Sequence, residues 1–207
     1  MIQEASLPSF DLRAAMDHLS AKDQILAELI ANAPAFQMDP DPLQSPYEAL
    51  LEAIAYQSIS GKAAATIYGR IKALSASGRA PTPQEMLKLR KSVLRKAGLS
   101  GAKVVAMKDL ARKTIEGVVP SLEEARKLSD EELVERLVSV RGIGAWTVEM
   151  FLIFHLGRPD VLPIHDLGVK KGWSVAYSKK HMPKARVDVF MEATLTSRNF
   201  RIKSAGD

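Results

Sequence analysis

The sequence predicts an all-α protein of about ten helices in two helical subdomains. Two observations carry that reading. Apolar residues recur at helical spacing along most of the chain, and alternating runs long enough for strands are missing. Capping residues also punctuate the apolar segments at short intervals. A chain of 207 residues buries about 70 per cent of its extended surface, so it needs no covalent staple.

The elements follow in order. Ser45 caps and Pro46 opens a helix carrying Leu50, Ile54 and Tyr56. Ser60 caps a segment through Ile67, Ile71 and Leu74, ended by Ser77 and Gly78. Thr82-Pro83-Gln84-Glu85 reads as a capping box. Val93 and Leu94 lie in a short helix closed by Gly98. Residues 100–115 form a longer helix, with Val104, Val105, Ala111 and Ile115 expected inward. Ser129-Asp130-Glu131-Glu132 is a second box, followed by Leu133, Leu137 and Val138. Val148, Leu152, Ile153 and Leu156 make the apolar stripe of the next helix. The best break is the proline-rich run between Pro34 and Pro42. It divides an N-terminal helical part, residues 1–43, from a central domain, residues 44–166. The first part is expected to pack with the C-terminal helices of 167–207.

The net charge of +5 is unevenly spread. Residues 1–60 carry 2 basic and 9 acidic side chains, whereas residues 88–114 carry 9 basic and 1 acidic. Such a partition presents a basic face, the footprint of a protein that touches a polyanion. Cysteine is absent, which excludes disulfides, thiolate zinc, cysteine nucleophiles and Cys-ligated iron–sulfur clusters. No apolar run approaches the roughly 20 residues of a membrane span, and no secretory leader pattern is present. No membrane partner is expected. The expected location is the cytoplasm, with the chromosome, or the nucleus in a eukaryote.

The most informative stretch joins the two helices of residues 130–156 through Gly142-Ile143-Gly144. Glycines one residue apart permit a tight hairpin with φ > 0 and close approach of a phosphate to backbone N–H groups. Ile143 is expected to be buried. Downstream, Asp166 stands just before an apolar helix, where it serves as an N-cap.

Gly142-Ile143-Gly144, Trp146-Thr147, Glu149-Met150 and then Pro163, Asp166-Leu167-Gly168-Val169 and Lys171 form one set of motifs. Pro46-Tyr47-Glu48-Ala49-Leu50 leads into Tyr56-Gln57-Ser58-Ile59-Ser60-Gly61-Lys62, and Gly98-Leu99-Ser100-Gly101-Ala102-Lys103 adds a third. Together they resemble the helix-hairpin-helix DNA glycosylases that end in a Gly/Pro-rich segment and an Asp. Within them the chain is similar to the 3-methyladenine DNA glycosylase II branch.

The resemblance implies base excision. Such an enzyme flips a damaged base out of double-stranded DNA and cleaves its bond to deoxyribose through an oxocarbenium-like state. It would release alkylated bases of the 3-methyladenine and 7-methylguanine type and leave an abasic site. Asp166 matches the family's catalytic carboxylate, a role compatible with capping. Trp146 stands where strand-cutting relatives carry a lysine nucleophile, so the resemblance implies a monofunctional enzyme without lyase activity. Its indole offers a stacking face for a cationic base, or packs as a core aromatic. The implied base pocket is Trp146, Met150, Tyr56 and His165. DNA contacts fall on Arg141, Gly142, Ile143, Gly144 and Thr147, with Lys103, Lys170 and Lys171 as secondary candidates. The wedge that fills the vacated stack falls in Gln57, Ser58 and Ile59. No cofactor is expected beyond a sodium or potassium ion that the family often holds on hairpin carbonyls, by position Val138, Val140 and Ile143. A monomer is expected.

Three departures stand out. His165 replaces a common Asp, Ser58 is small for a wedge, and residues 189–207 lack the family's usual closing motif and pocket aromatic. A non-catalytic helix-hairpin-helix DNA-binding protein is therefore the alternative reading.

Overall fold

The computed structural model describes residues 11–34 and 45–177. These residues hold eleven α-helices and no strand. Most of the proline-rich run and the atypical tail at 189–207 lie outside the described residues. The chain divides into two units, one of residues 1–40 and 156–207, the other of residues 41–155. No helix among the described residues is long and apolar enough to cross a membrane.

The larger unit holds α3 (Pro46–Tyr56) to α10 (Ala145–Phe154). Local chemistry sets its boundaries. Ser45 and Glu48 close a reciprocal capping box on α3, with Pro46 in its first turn. Ser60 caps α4 (Gly61–Lys72), and Thr82 with Glu85 boxes α5 (Pro83–Lys88). Ser100 caps α7 (Gly101–Ile115). Ser129 with Glu132 boxes α9 (Asp130–Val138). Arg90 opens α6 (Lys91–Lys96) with no side-chain cap, and Ser121 caps α8 (Leu122–Lys127).

The helix α7 is the hub: it packs on α3, α5 and α6, while α9 packs on α10 and α10 on α3. The core is Leu50, Leu51 and Ile54 of α3, Ile71 of α4, Met86 of α5, Leu94 of α6, Met107 and Leu110 of α7, and Leu133 and Leu137 of α9. The Tyr47 hydroxyl is buried and donates to Pro81 O at 2.9 Å. Burial pushes this phenol well above its ordinary pKa.

The inward face of α7 departs from the sequence expectation. Val104 and Ala111 are buried as expected, but Val105 and Ile115 are exposed. The buried set is Val104, Ala106, Met107, Leu110 and Ala111. Val105 sits about 100° around the helix from Val104, and Ile115 lies in the last turn. Lys108 takes a helical position next to the buried set instead. Its Nζ donates to the carbonyls of Met86, Leu87 and Leu89 at the end of α5. Val138 is likewise exposed at the end of α9.

The smaller unit contains α1 (Leu12–Lys22), α2 (Gln24–Asn32) and α11 (Leu167–Ala176). Asp11 and Asp23 cap α1 and α2. Asp23 also donates its own N–H to Leu19 O at the end of α1. Trp173 is buried among Leu162, Val169 and Tyr177, and the rings of Trp173 and Tyr177 stack at 4.0 Å. Burial, then a hydrogen bond and charge from Asp23, push the Tyr177 hydroxyl up to about 12.

Leu110 and Val105 separate the observed inward face of α7 from the expected one. Leu110→Ala, at 0 % exposure, is expected to lose about 2–5 kcal/mol. Val105→Ala is expected to change stability by less than about 0.5 kcal/mol. Denaturant melts of the two variants check the pair.

Candidate nucleic-acid interface and active site

The hairpin between α9 and α10 follows from three residues. Val140 and Ile143 are buried and the Ile143 N–H donates to Val140 O, which makes Ile143 the buried hinge that its place between the glycines indicated. Gly142 has φ +82, and a Cβ there would stand 3.0 Å from the Ala106 Cβ of α7. Glycine is therefore required twice over, by conformation and by space. Gly144, unlike Gly142, does not use positive φ. It is extended at φ −103 and caps α10 with no side chain, and a Cβ would meet nothing within 4 Å. What Gly144 supplies is openness at a helix N-terminus, where backbone N–H groups favour an anion.

The turn is held by side chains. Asp109 of α7 accepts the Arg141 N–H at 2.8 Å, and the Arg112 guanidinium pairs with the same carboxylate. Burial draws the Asp109 pKa upward. The Arg141 N–H, Arg112 and Lys113 outweigh it and hold the carboxyl below its ordinary range. Lys113 Nζ donates to Ser139 O, and to Ser139 Oγ at 3.1 Å. From the other side, Gln57 Nε2 donates to Gly142 O at 2.9 Å. Asp109 was not foreseen as a site residue, although one signal was present: it is the lone acid among the nine bases of 88–114.

Several expected DNA contacts have different surroundings. Arg141 and Gly144 are exposed at the turn. Thr147 is buried on the same face of α10 as Phe151. Lys103 Nζ donates to Ala55 O at 2.8 Å, capping the end of α3, and burial lowers its pKa. In the smaller unit, Lys171 is exposed and Lys170 is half-buried. A cavity of about 370 Å³ beside Arg141 is lined by Leu87, Lys91, Val105, Lys108, Asp109 and Arg112.

Trp146 is 44 % exposed although α10 is apolar almost throughout. Met150 lies one turn on, on the same face, half-buried. Tyr56, at the end of α3, is also exposed. The turn that follows α3 exposes Ser58 and Ile59, and Ser58 has φ +59. Among the described residues no cluster of His, Cys, Asp or Glu could hold a metal. On the hairpin, Val140 O accepts the Ile143 N–H, while no described backbone N–H bonds Val138 O or Ile143 O.

Asp166, in the smaller unit, occupies the N-cap of α11. Its Oδ1 accepts the Val169 N–H at 2.8 Å. Gly168 leaves room for it, since a Cβ there would stand 3.0 Å from Oδ1. His165 beside it is exposed.

Residues 51–191 match the model of the HhH-GPD superfamily of base excision DNA repair proteins. The chain belongs to this superfamily. A fission yeast (Schizosaccharomyces pombe) superfamily relative, DNA-3-methyladenine glycosylase 1, is 41 % identical over 80 % of this chain and 73 % of its own length. A second protein of that yeast, the alkylbase DNA glycosidase-like protein mag2, is 32 % identical over 77 % of this chain and 76 % of its own. The structure of S. pombe 3-methyladenine DNA glycosylase in complex with abasic DNA superimposes with a TM-score of 0.78 at 36 % identity. It covers 89 % of this chain and 90 % of that one.

The two hairpin glycines should separate. Gly142→Ala is expected to destabilise by about 1–3 kcal/mol, from positive φ and the Ala106 contact. Gly144→Ala should cost no more than about 1 kcal/mol, the preference for glycine over alanine at an N-cap. Thermal melts decide. Asp109 predicts a pH effect. Its folded pKa is depressed, so its contribution is present above the unfolded value of about 3.9 and is lost as pH falls through the folded value. Asp109→Asn should therefore flatten the acid limb of a stability–pH profile, and an unchanged limb would contradict the assigned network.

Proposed function

We propose that this protein is a monofunctional DNA glycosylase that removes alkylated bases from double-stranded DNA. It hydrolyses the N-glycosidic bond of an extrahelical base, of the 3-methyladenine or 7-methylguanine type, and leaves an abasic site. The observation that carries the reading is Asp166. One of its carboxylate oxygens is tied to the first turn of α11 at the position where the superfamily motif has its Asp.

The chemistry follows from charge. Loss of the base leaves positive charge on the sugar, and a fixed carboxylate stabilises it. A helix N-terminus favours the ionised form. Alkylated purines leave as good leaving groups because they already carry positive charge. The exposed face of Trp146 suits such a cation, with Met150 and Tyr56 of the same unit assigned to the base, and His165 assigned to it beside Asp166. Trp146 has no amine, so no Schiff base forms at that position, and the strand is left uncut. The 3-methyladenine glycosylase II type is the branch assigned.

DNA is held by the open N-terminus at Gly144, the backbone of Gly142 and Ile143, and Arg141. Lys170 and Lys171 supply outer phosphate contacts. The Val138 and Ile143 carbonyls suit a sodium or potassium ion, with Val140 beside them, and such an ion would add positive charge behind the phosphate. The protein acts as a monomer with the chromosome, in the cytoplasm or the nucleus.

Asp166→Asn tests the reading, because asparagine is as good an N-cap as aspartate. Stability should hold, while release of 3-methyladenine and 7-methylguanine from methylated duplex should fall about 100-fold or more. Equal release by both proteins would remove Asp166 from its role. No release by wild type, with salt-sensitive duplex binding intact, would leave a non-catalytic DNA-binding protein. Borohydride trapping should yield no covalent complex with an abasic strand.

A further inference from the structure

Three features meet at the turn after α3. Ser58 is the one non-glycine residue with positive φ among the described residues, at +59. Crowding of its Cβ against the backbone disfavours that conformation, and such residues persist only where neighbours hold them. The neighbours are identifiable. Lys103 of α7 donates to Ala55 O at 2.8 Å and secures the end of α3. Gln57 donates to Gly142 O at 2.9 Å and joins the turn to a hairpin 85 residues away in sequence. The hairpin rests on the same helix, through the close approach of Gly142 to Ala106 and through Asp109 on the Arg141 N–H. Gln57 itself is half-buried, while Ser58 and Ile59 project into solvent.

We infer that Gln57 is a positioning residue and not a wedge: its amide locks the exposed turn in register with the phosphate-holding hairpin. Anchoring of the backbone and opening of the stack are thereby one rigid event, with Ser58 and Ile59 as the inserting tip. A small serine suffices because the turn is held and does not have to fold on contact. This inference rests on the glycosylase reading above.

The test uses the full chain and a duplex containing 7-methylguanine, with 2-aminopurine as its neighbour to report unstacking. A second duplex presents the same lesion unpaired in a one-nucleotide bulge. Gln57→Leu removes the donor. It should bind the paired duplex within about twofold of wild type, yet lose about tenfold in fluorescence-detected opening and in single-turnover excision, the scale of one lost hydrogen bond. The bulged lesion should be excised at the wild-type rate. Gln57→Glu should match Gln57→Leu at neutral pH. It should regain opening relative to Gln57→Leu as acid protonates the new carboxyl into a donor. Equal losses on paired and bulged lesions, or loss of binding in step with opening, would overturn the inference. Wild type that opens the duplex but excises nothing would overturn the glycosylase reading alone, and the opening signal would still decide the role of Gln57.

Discussion

The close approach of the hairpin to α7 is the constraint on which the larger unit's functional face depends. Residue 142 favours glycine, because its φ is +82 and a Cβ there would stand 3.0 Å from the Ala106 Cβ. That approach brings the Arg141 N–H onto Asp109 and leaves Gly144 open as the cap of α10. The turn is thus fixed by groups behind it, and its outer surface is left for a ligand. A hairpin held only by its own two helices would have no such rigidity, because each helix end leaves unbonded backbone groups that must find partners.

The same architecture changes the meaning of the basic segment 88–114. Much of its charge closes helix ends. Lys103 donates to Ala55 O, Lys108 to three carbonyls at the end of α5, and Lys113 to Ser139 O, while Arg95 donates to Leu99 O in the loop before α7. Cations at helix C-termini offset the macrodipole and satisfy carbonyls. Desolvation lowers the pKa of Lys103, and desolvation together with Lys91 lowers that of Lys108. A dense run of lysines and arginines thus serves helix–helix joints first. Lys91 and Arg112 of the segment instead line the cavity beside Arg141.

What was legible in the sequence is what is local. Ser45, Ser60, Thr82, Ser129 and Asp166 all cap where the pattern placed them, because an N-cap is decided within four residues. Ile143 was legible because flanking glycines leave it the only side chain able to fill the hinge. Val105 and Ile115 were misread because an apolar residue one position off the stripe, or one turn past it, looks the same in sequence. The joints were illegible in principle. Nothing near Gln57 announces Gly142, and nothing near Asp109 announces Arg141, since these bonds span 85 and 32 residues.

Trp146 shows where stability and use part. Its helix is apolar on nearly all sides, and Val148, Phe151 and Leu152 are buried. An indole left almost half exposed in that company forgoes the burial free energy its neighbours gain, about 25 cal/mol per Å² of apolar surface. Burial by a flat, positively charged ring would recover it and add an electrostatic attraction that a neutral ring lacks. Under the proposed function, the exposure of Trp146 would favour damaged cationic bases over normal ones by the same physics that makes those bases leave easily. Binding preference and intrinsic reactivity point to the same substrates. In the proposed reaction a carboxylate such as Asp166, held in place but not asked to protonate the leaving group, would then be sufficient chemistry.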